Sequence, residues 1–338
     1  MVRPAGGTGP GQVAGGRVSP GRVLPAKAGA VPERVSAVVV DYNAGDALRR
    51  CVGSLLAEGV AEVVVVDNAS VDASAEALRG LGPRVRALRS EENLGYGKGA
   101  NLGARATSGD YLLVSNPDLV MVPGAVAALA EVLRRRPEVA LVGPMLLGAD
   151  GTVYPSGRDF PSMAEALGHA FLGLVWGGNP WTRRYRHLGP DQHAARPADW
   201  VSGAAFLVRR SAWTTVAGFD ERYFMYVEDV DLCWRLRRAG WEIRYEPSAQ
   251  VVHEQGRSAS RHPYRMLLAH HRSMWRFAAR SAEGRSRLLL PLVALGLVLR
   301  LALAWAEHLV QPRERLLRRR AWGGPAAGGR ASGRRGPH

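Results

Sequence analysis

Residues 35–142 alternate short β-branched runs with segments whose apolar positions recur every three or four residues. Residues 35–40 read VSAVVV and end on Asp41-Tyr42-Asn43, with the turn formers Gly45 and Asp46 behind them. This predicts a buried strand. Residues 47–57 predict an amphipathic helix with Leu48, Cys51, Leu55 and Leu56 on its inner side. The alternation continues with strands expected at 62–66, 85–90, 111–115 and 139–142, and helices at 74–81, 99–107 and 124–136. Such an order predicts an α/β domain around a mainly parallel sheet. Ligands bind such sheets at the carboxyl ends of the strands. Polar signatures follow three of these strands, at Asp41, Asp67 and Asn116-Pro117-Asp118. Asp199-Trp200 and Ser202-Gly203-Ala204 then precede an apolar strand at 205–208. Residues 220–253 carry the aromatics Tyr223, Phe224 and Tyr226, the acids Glu228, Asp229 and Asp231, a helix-like run to Arg238, a strand at 241–245, and His253.

With 338 residues the chain can hold one large domain or two small ones. Its net charge of +15 is unevenly placed: residues 257–338 contribute +14 and residues 1–32 contribute +4, leaving 33–256 at −3. The basic ends invite a nucleic-acid-binding reading. However, the bases flank an apolar run and a low-complexity tail, not an aromatic face of a folded module. No nucleic-acid partner is expected. Cys51 and Cys233 lie in apolar helical patterns and read as buried thiols in a reducing, cytoplasmic setting. The first residues show no apolar region of a secretory signal. Residues 1–33 read as a disordered lead and 322–338 as a disordered basic tail.

Residues 288–310, LLLPLVALGLVLRLALAWAEHLV, are strongly apolar but interrupted by Pro291, Arg300 and Glu307. Twelve residues precede Arg300, short of the roughly 20 that span a bilayer core. A charge at the centre of a spanning helix costs on the order of 3 kcal/mol. A helix lying in the membrane interface is therefore expected, flanked by Arg285, Arg287 and the bases of 313–320, with the helix at 264–279 beside it. The alternative is a helical hairpin packed on the catalytic domain or between subunits.

Carboxylates beside aromatic rings suit general-base chemistry on a sugar hydroxyl, since the rings exclude water and hold the carbohydrate face. The simpler role for Glu228 or Asp229 is to cap the following helix. Asp67 can accept from a pyrimidine N–H or a ribose hydroxyl, or close its strand with an Asx turn. Gly95, Gly97, Gly99 and Gly103, beside Lys98, would let the backbone approach a phosphate at a helix start. Their spacing is not that of a dinucleotide-binding loop.

In order along the chain stand VVVDYN, VVVVDNAS-VD, NLGYGKGANLG, LLVSNPD, WVSGAAFLVRR, GFDERYFMYVEDVDLCWRLRRAGW and VVH. Over roughly residues 35–256 this series resembles the family 2 glycosyltransferases of the GT-A fold. Within the family it is similar to bacterial rhamnosyltransferases, including those acting on polyprenyl-diphosphate-linked N-acetylglucosamine. The resemblance implies a Rossmann-like nucleotide-diphospho-sugar transferase domain at 34–256 and a C-terminal helical, membrane-associating extension at 257–321. It places the donor nucleotide at Asp41, Tyr42, Asn43 and Asp67, with Asn93, Gly95, Lys98 and Asn101 helping to hold it. Asn116 and Asp118 occupy the family's D-x-D position, where carboxylates meet a divalent cation, Mg²⁺ or Mn²⁺. The first acid is Asn here, and His253 matches a position where relatives supply a histidine to the same metal. Trp200, Ser202, Gly203, Ala204 and Tyr226 would border the sugar and acceptor. Asp229 would be the general base of an inverting transfer, with Glu228 raising its pKa. The implied donor is dTDP-rhamnose, with galactose, glucose or N-acetylglucosamine nucleotides as alternatives. The implied acceptor is a lipid-linked sugar at the cytoplasmic face of the cell membrane, and a homodimer through the C-terminal helices fits relatives of this kind. An inactive scaffold of the same fold would share Asn116 but has no use for Glu228-Asp229.

Overall fold

The computed structural model describes residues 34–160, 192–253 and 263–321; the lead at 1–33 and the tail at 322–338 lie outside these residues. Strand β1 (Val35–Asp41) is buried along its whole length. Ala37 and Val39 face one layer, with Leu48, Cys51, Val52 and Leu55 of helix α1 (Asp46–Ala57) and with Val126, Leu129 and Leu133 of α3 (Ala125–Arg135). Val38 and Val40 face the other, with Ala100 and Ala104 of α2 (Tyr96–Arg105), Trp213 of α4 (Arg210–Thr215), and Leu232 and Leu236 of α5 (Glu228–Arg238). A strand covered on both faces needs no polar alternation, which is why it reads as an unbroken apolar run.

β2 (Glu62–Asp67) and β4 (Tyr111–Ser115) run parallel to β1 on either side, with Asp41 beside Asp67. β3 (Val85–Arg89) follows β2 and sets Arg89 beside Asp67. Beyond β4 the sheet becomes mixed. β11 (Ala205–Arg209) lies antiparallel between β4 and β6 (Val139–Gly148), β12 (Glu242–His253) runs parallel to β6, and β5 (Leu119–Met121) closes the edge against β12. The order is β3-β2-β1-β4-β11-β6-β12-β5. β7 (Val153–Tyr154) and β9 (Arg196–Ala198) attach to β6 and β12, and β8 (Gly157–Arg158) pairs with β10 (Trp200–Val201) in a small separate sheet.

Three elements differ from expectation. The helix expected at 74–81 is a single 3-10 segment, Ala73–Leu78, capped by the Asp72 carboxylate and followed by Gly80 and Gly82 at positive φ. The strand expected at 241–245 continues to His253, because a register shift between Glu246 and Gln250 lets it stay paired with β6 while bending to meet β5. The glycines of α2 let the helix pack closely. A methyl on Gly99 or Gly103 would run into Val40 or Val38 of β1, and one on Gly97 into Phe219. Gly95, at φ +83, lies against the Phe224 carbonyl, which accepts from the Tyr96 N–H at 3.0 Å.

Helices α6 (Pro263–Ser281) and α7 (Leu290–Ala321) pack on each other. Pro291 falls in the first turn of α7, where its missing N–H is harmless. Leu297 is buried, while Leu292, Leu295, Val298, Leu299 and Leu303 form an exposed apolar stripe. Residues Gly284–Trp305, 22 in number with mean hydropathy 2.3, are long and apolar enough by length and composition to cross a membrane. Burial, followed by the charges of His271 and Arg300, pushes the His270 imidazole down to about 4.

α6 also lies on the loop that leads into α5. Ser273 Oγ donates to the Met225 carbonyl at 3.0 Å, and Tyr226 meets His270 edge to face at 5.3 Å between centroids. Arg280 reaches Asp220 at 2.5 Å and the fully buried Asp231 at 3.1 Å. Asp231 is also paired with Arg235 at 2.6 Å. This third acid of the cluster is thus a structural anchor that ties α6 to α5.

Candidate active site

The carboxyl end of β4, the start of α2 and the start of α5 meet around two residues, Gly203 and Ala204. The Gly203 N–H donates to Asp229 Oδ2 at 2.7 Å, and the Gly203 carbonyl accepts from the Tyr96 hydroxyl at 2.6 Å. The Ala204 carbonyl accepts from the Asn116 N–H at 2.8 Å. Three segments distant in sequence are therefore pinned to one dipeptide. A Cβ on Gly203 would sit 3.0 Å from that of Asp229, so the small residue is what allows this approach. Ser202 stands beside it, with its hydroxyl accepting from the Ala204 N–H at 3.3 Å.

Neither acid caps α5 through a conventional side-chain bond; the capping position is Val227. Tyr226 and Val227 are both left-handed, at φ 68 and 69. That conformation is rare for a β-branched residue and is held only where the surroundings over-determine it. Here Ser273 and His270 of α6 hold the loop from behind. Asp229 Oδ1 accepts from the Val230 N–H at 2.9 Å. Burial raises the Asp229 carboxyl, opposed by the Gly203 and Val230 N–H groups and by the charge of Arg158. Glu228 is buried, its Oε2 has no hydrogen-bond partner among the described residues, and burial followed by the Asp229 charge pushes it up to about 8.

Glu228 therefore binds its proton more tightly folded than unfolded, where the ordinary value is 4.5. Folding takes up a proton between those values, so stability falls as pH rises from about 4.5 to about 8 and levels off beyond. Asp41, raised to about 6 by burial, adds the same sign in the lower part of the window. Glu228→Gln is neutral throughout and is expected to flatten the decline above pH 6. Chemical denaturation at pH 6, 7, 8 and 9 reads this directly; an equally steep decline in the variant contradicts the assignment.

At the tip of β4, Asp118 Oδ1 lies 3.2 Å from His253 Nε2 at the end of β12. The register shift in β12 is what delivers the histidine to this point. Among the described residues no group of three or more His, Cys, Asp or Glu is placed to hold a metal. A cation here would draw two protein ligands and take the rest from water and a diphosphate. This suits Mg²⁺, which keeps few protein ligands.

On β1 and β2 the polar residues are tied to each other. Asp41 accepts from the Ala44 N–H at 3.2 Å and the Ser70 hydroxyl at 3.1 Å. Asn43 Oδ1 accepts from the Val71 N–H at 2.8 Å. Asp67 does close an Asx turn, accepting from the Ser70 N–H at 2.8 Å, and its other oxygen pairs with Arg89 at 2.7 Å. Asn93 accepts from the Asn68 side chain and the Gly95 N–H, both at 3.0 Å; it shapes the loop before α2. Asn101 exchanges hydrogen bonds with the Phe219 main chain, both at 2.9 Å. Lys98 is half-buried, with no ion pair among the described residues. Tyr42 is half-buried at the β1 tip. Trp200 is half-buried, and Arg158 lies over its ring. Sequence reasoning missed Arg89, Tyr96 and Arg158. Only strand register and long-range hydrogen bonds reveal them, at separations of 22 residues for Asp67–Arg89 and 107 for Tyr96–Gly203.

The site thus combines a mixed α/β sheet with acids at its strand tips, a half-buried carboxylate at a helix start, and an acid–histidine pair at the tip of β4. Residues 36–213 match the family model described as glycosyl transferase family 2. The chain is 42% identical over 288 residues to the N-acetylglucosaminyl-diphospho-decaprenol L-rhamnosyltransferase of Mycobacterium tuberculosis, covering 81% of this chain and 91% of that protein. It is 27% identical over 150 residues to rhamnosyltransferase WbbL of Escherichia coli K12, covering 44% of this chain and 54% of WbbL. Among solved structures, the mannosyltransferase PcManGT from Pyrobaculum calidifontis, in complex with GDP-Man and Mn²⁺, has a TM-score of 0.52 at 16% identity, covering 84% of this chain and 80% of that one. That likeness extends to the GT-A fold. The chain belongs to glycosyl transferase family 2 and is a glycosyltransferase.

Proposed function

We propose that the enzyme transfers L-rhamnose from dTDP-rhamnose to N-acetylglucosamine carried on a polyprenyl diphosphate, at the cytoplasmic face of the membrane, with inversion at the anomeric carbon. The carrying observation is the Gly203–Ala204 junction, which holds the Asp229 carboxylate and the Asn116–Asp118 turn on the two ends of one dipeptide. The donor and acceptor identities draw on the similarity to the mycobacterial enzyme. The exposed apolar stripe of α7 supports an interfacial seat, as a lipid-borne acceptor requires.

In this reading Asp229 is the base. Its two backbone N–H partners fix the carboxylate, and burial raises its basicity. It takes the proton of the acceptor hydroxyl as that oxygen attacks the anomeric carbon and the nucleoside diphosphate departs. One base and one direct displacement give inversion. Burial and the Asp229 charge favour the neutral form of Glu228, which leaves a single negative charge at the pair. Asp118 and His253 would hold a divalent cation, which when bound neutralises the departing diphosphate. Asp41 and Asp67, side by side at the tips of β1 and β2, would face the nucleotide, with Arg89 steadying Asp67.

The test is transfer itself. Membranes containing the full chain are incubated with radiolabelled nucleotide sugars and extracted with organic solvent. Label entering the lipid phase from dTDP-rhamnose is the expected result. Label entering only from another donor, or only into water-soluble product, overturns the substrate assignment.

A further inference from the structure

Arg158 is a cation to which the chemistry above gives no task. It ends β8, and the antiparallel pairing sets it opposite Trp200. Its guanidinium carbon lies 5.1 Å from the centroid of the Trp200 ring and 5.2 Å from that of Tyr154. Its Nε donates to the Pro155 carbonyl at 2.7 Å. Two aromatic contacts and one main-chain bond thus fix the group. Both terminal nitrogens are without a hydrogen-bond partner, and no carboxylate is paired with it, among the described residues. The acids nearest in sequence and pairing are engaged elsewhere: Asp159 with Arg196 at 3.6 Å, and Asp199 with Arg237. A half-buried, pre-oriented guanidinium whose outer edge is unpaired is suited to bidentate capture of a phosphate.

Its position names which phosphate. Arg158 is paired across the strands with Trp200, three residues before the Gly203 whose N–H holds Asp229, and its charge favours the ionised carboxylate. An acceptor whose hydroxyl reaches Asp229 thus has this arginine beside it, on the side of the β8–β10 sheet. In the function proposed above, the donor's diphosphate is met through a cation at Asp118 and His253. We propose that Arg158, clamped between Tyr154 and Trp200, grips the diphosphate of the acceptor through its two terminal nitrogens. The inference rests on the reading of the acceptor as a diphosphate-linked sugar. It assigns the mini-sheet β8–β10 as the element that distinguishes such a sugar from a free or neutral one.

The experiment uses the full chain with saturating donor and two acceptors. One is N-acetylglucosamine on a short prenyl diphosphate, and the other is an alkyl N-acetylglucosaminide without phosphate. The wild type should prefer the first in kcat/KM. Arg158→Gln should shrink that preference about 10- to 100-fold, through the KM of the diphosphate acceptor. Arg158→Lys, which keeps the charge but not the planar fork, should recover part of it. An equal loss with both acceptors overturns the inference, since Arg158 then supports Asp229 or the fold. A raised donor KM with acceptor preference intact overturns it too, and moves the arginine to the donor's diphosphate. A wild type with no preference between the acceptors refutes the clamp but leaves the acceptor sugar standing. A wild type active on neither removes the acceptor reading, and this inference with it.

Discussion

Asp229→Asn is expected to lower transfer by about 10²–10⁴-fold, the range a positioned general base supplies, while nucleotide binding persists. The substitution is nearly isosteric but not silent. The carboxylate accepts from two main-chain donors, Gly203 N–H on one oxygen and Val230 N–H on the other. Asparagine can serve one of them and must present its NH₂ to the other, a conflict of roughly 1–3 kcal/mol. A modest drop in denaturation midpoint should therefore accompany the loss of rate. Calorimetric titration with dTDP separates the two effects, because the nucleotide's proposed contacts at Asp41 and Asp67 lie on other strands. Turnover within tenfold of wild type would place the base elsewhere.

Asp118→Asn is expected to raise the divalent-cation concentration needed for half-maximal transfer by at least about 10- to 100-fold, since supporting groups alone carry that much metal affinity. The expectation follows from how little the protein offers the ion. Asn116 already lacks a charge, so Asp118 would be the one anionic ligand, beside His253 at 3.2 Å. Replacing it leaves only neutral protein donors against a hard cation. His253→Ala should act in the same direction but less, as it removes no charge. Cation titrations of donor binding and of transfer check this; curves superimposable on wild type would show that Asp118 does not meet a metal.

Much of this was legible from residue order because the strands are covered on both faces and so appear as continuous apolar runs. The polar residues ending β1, β2 and β4 likewise stand together at the carboxyl ends of three parallel neighbouring strands. The long-range contacts carry no local signal. Three of the four glycines at 95–103 let α2 lie close on β1 and on Phe219, and Gly95 yields to the Phe224 carbonyl. A glycine permits close approach without saying what approaches. The tie of Asn101 to Phe219 spans 118 residues that no local pattern connects. Arg89 became visible only once parallel pairing set it beside Asp67. The reach of β12 to His253 depended on a register shift, which sequence periodicity does not display.

The left-handed pair Tyr226–Val227 has its backing in α6, the helix that also supports the lipophilic α7. The greasy end of the molecule is consequently a buttress for the loop that carries the proposed base, and trimming it to gain solubility is expected to slacken that base. Extraction conditions become a kinetic variable: an amphiphile that prises the two helices off the core should slow turnover before it unfolds anything.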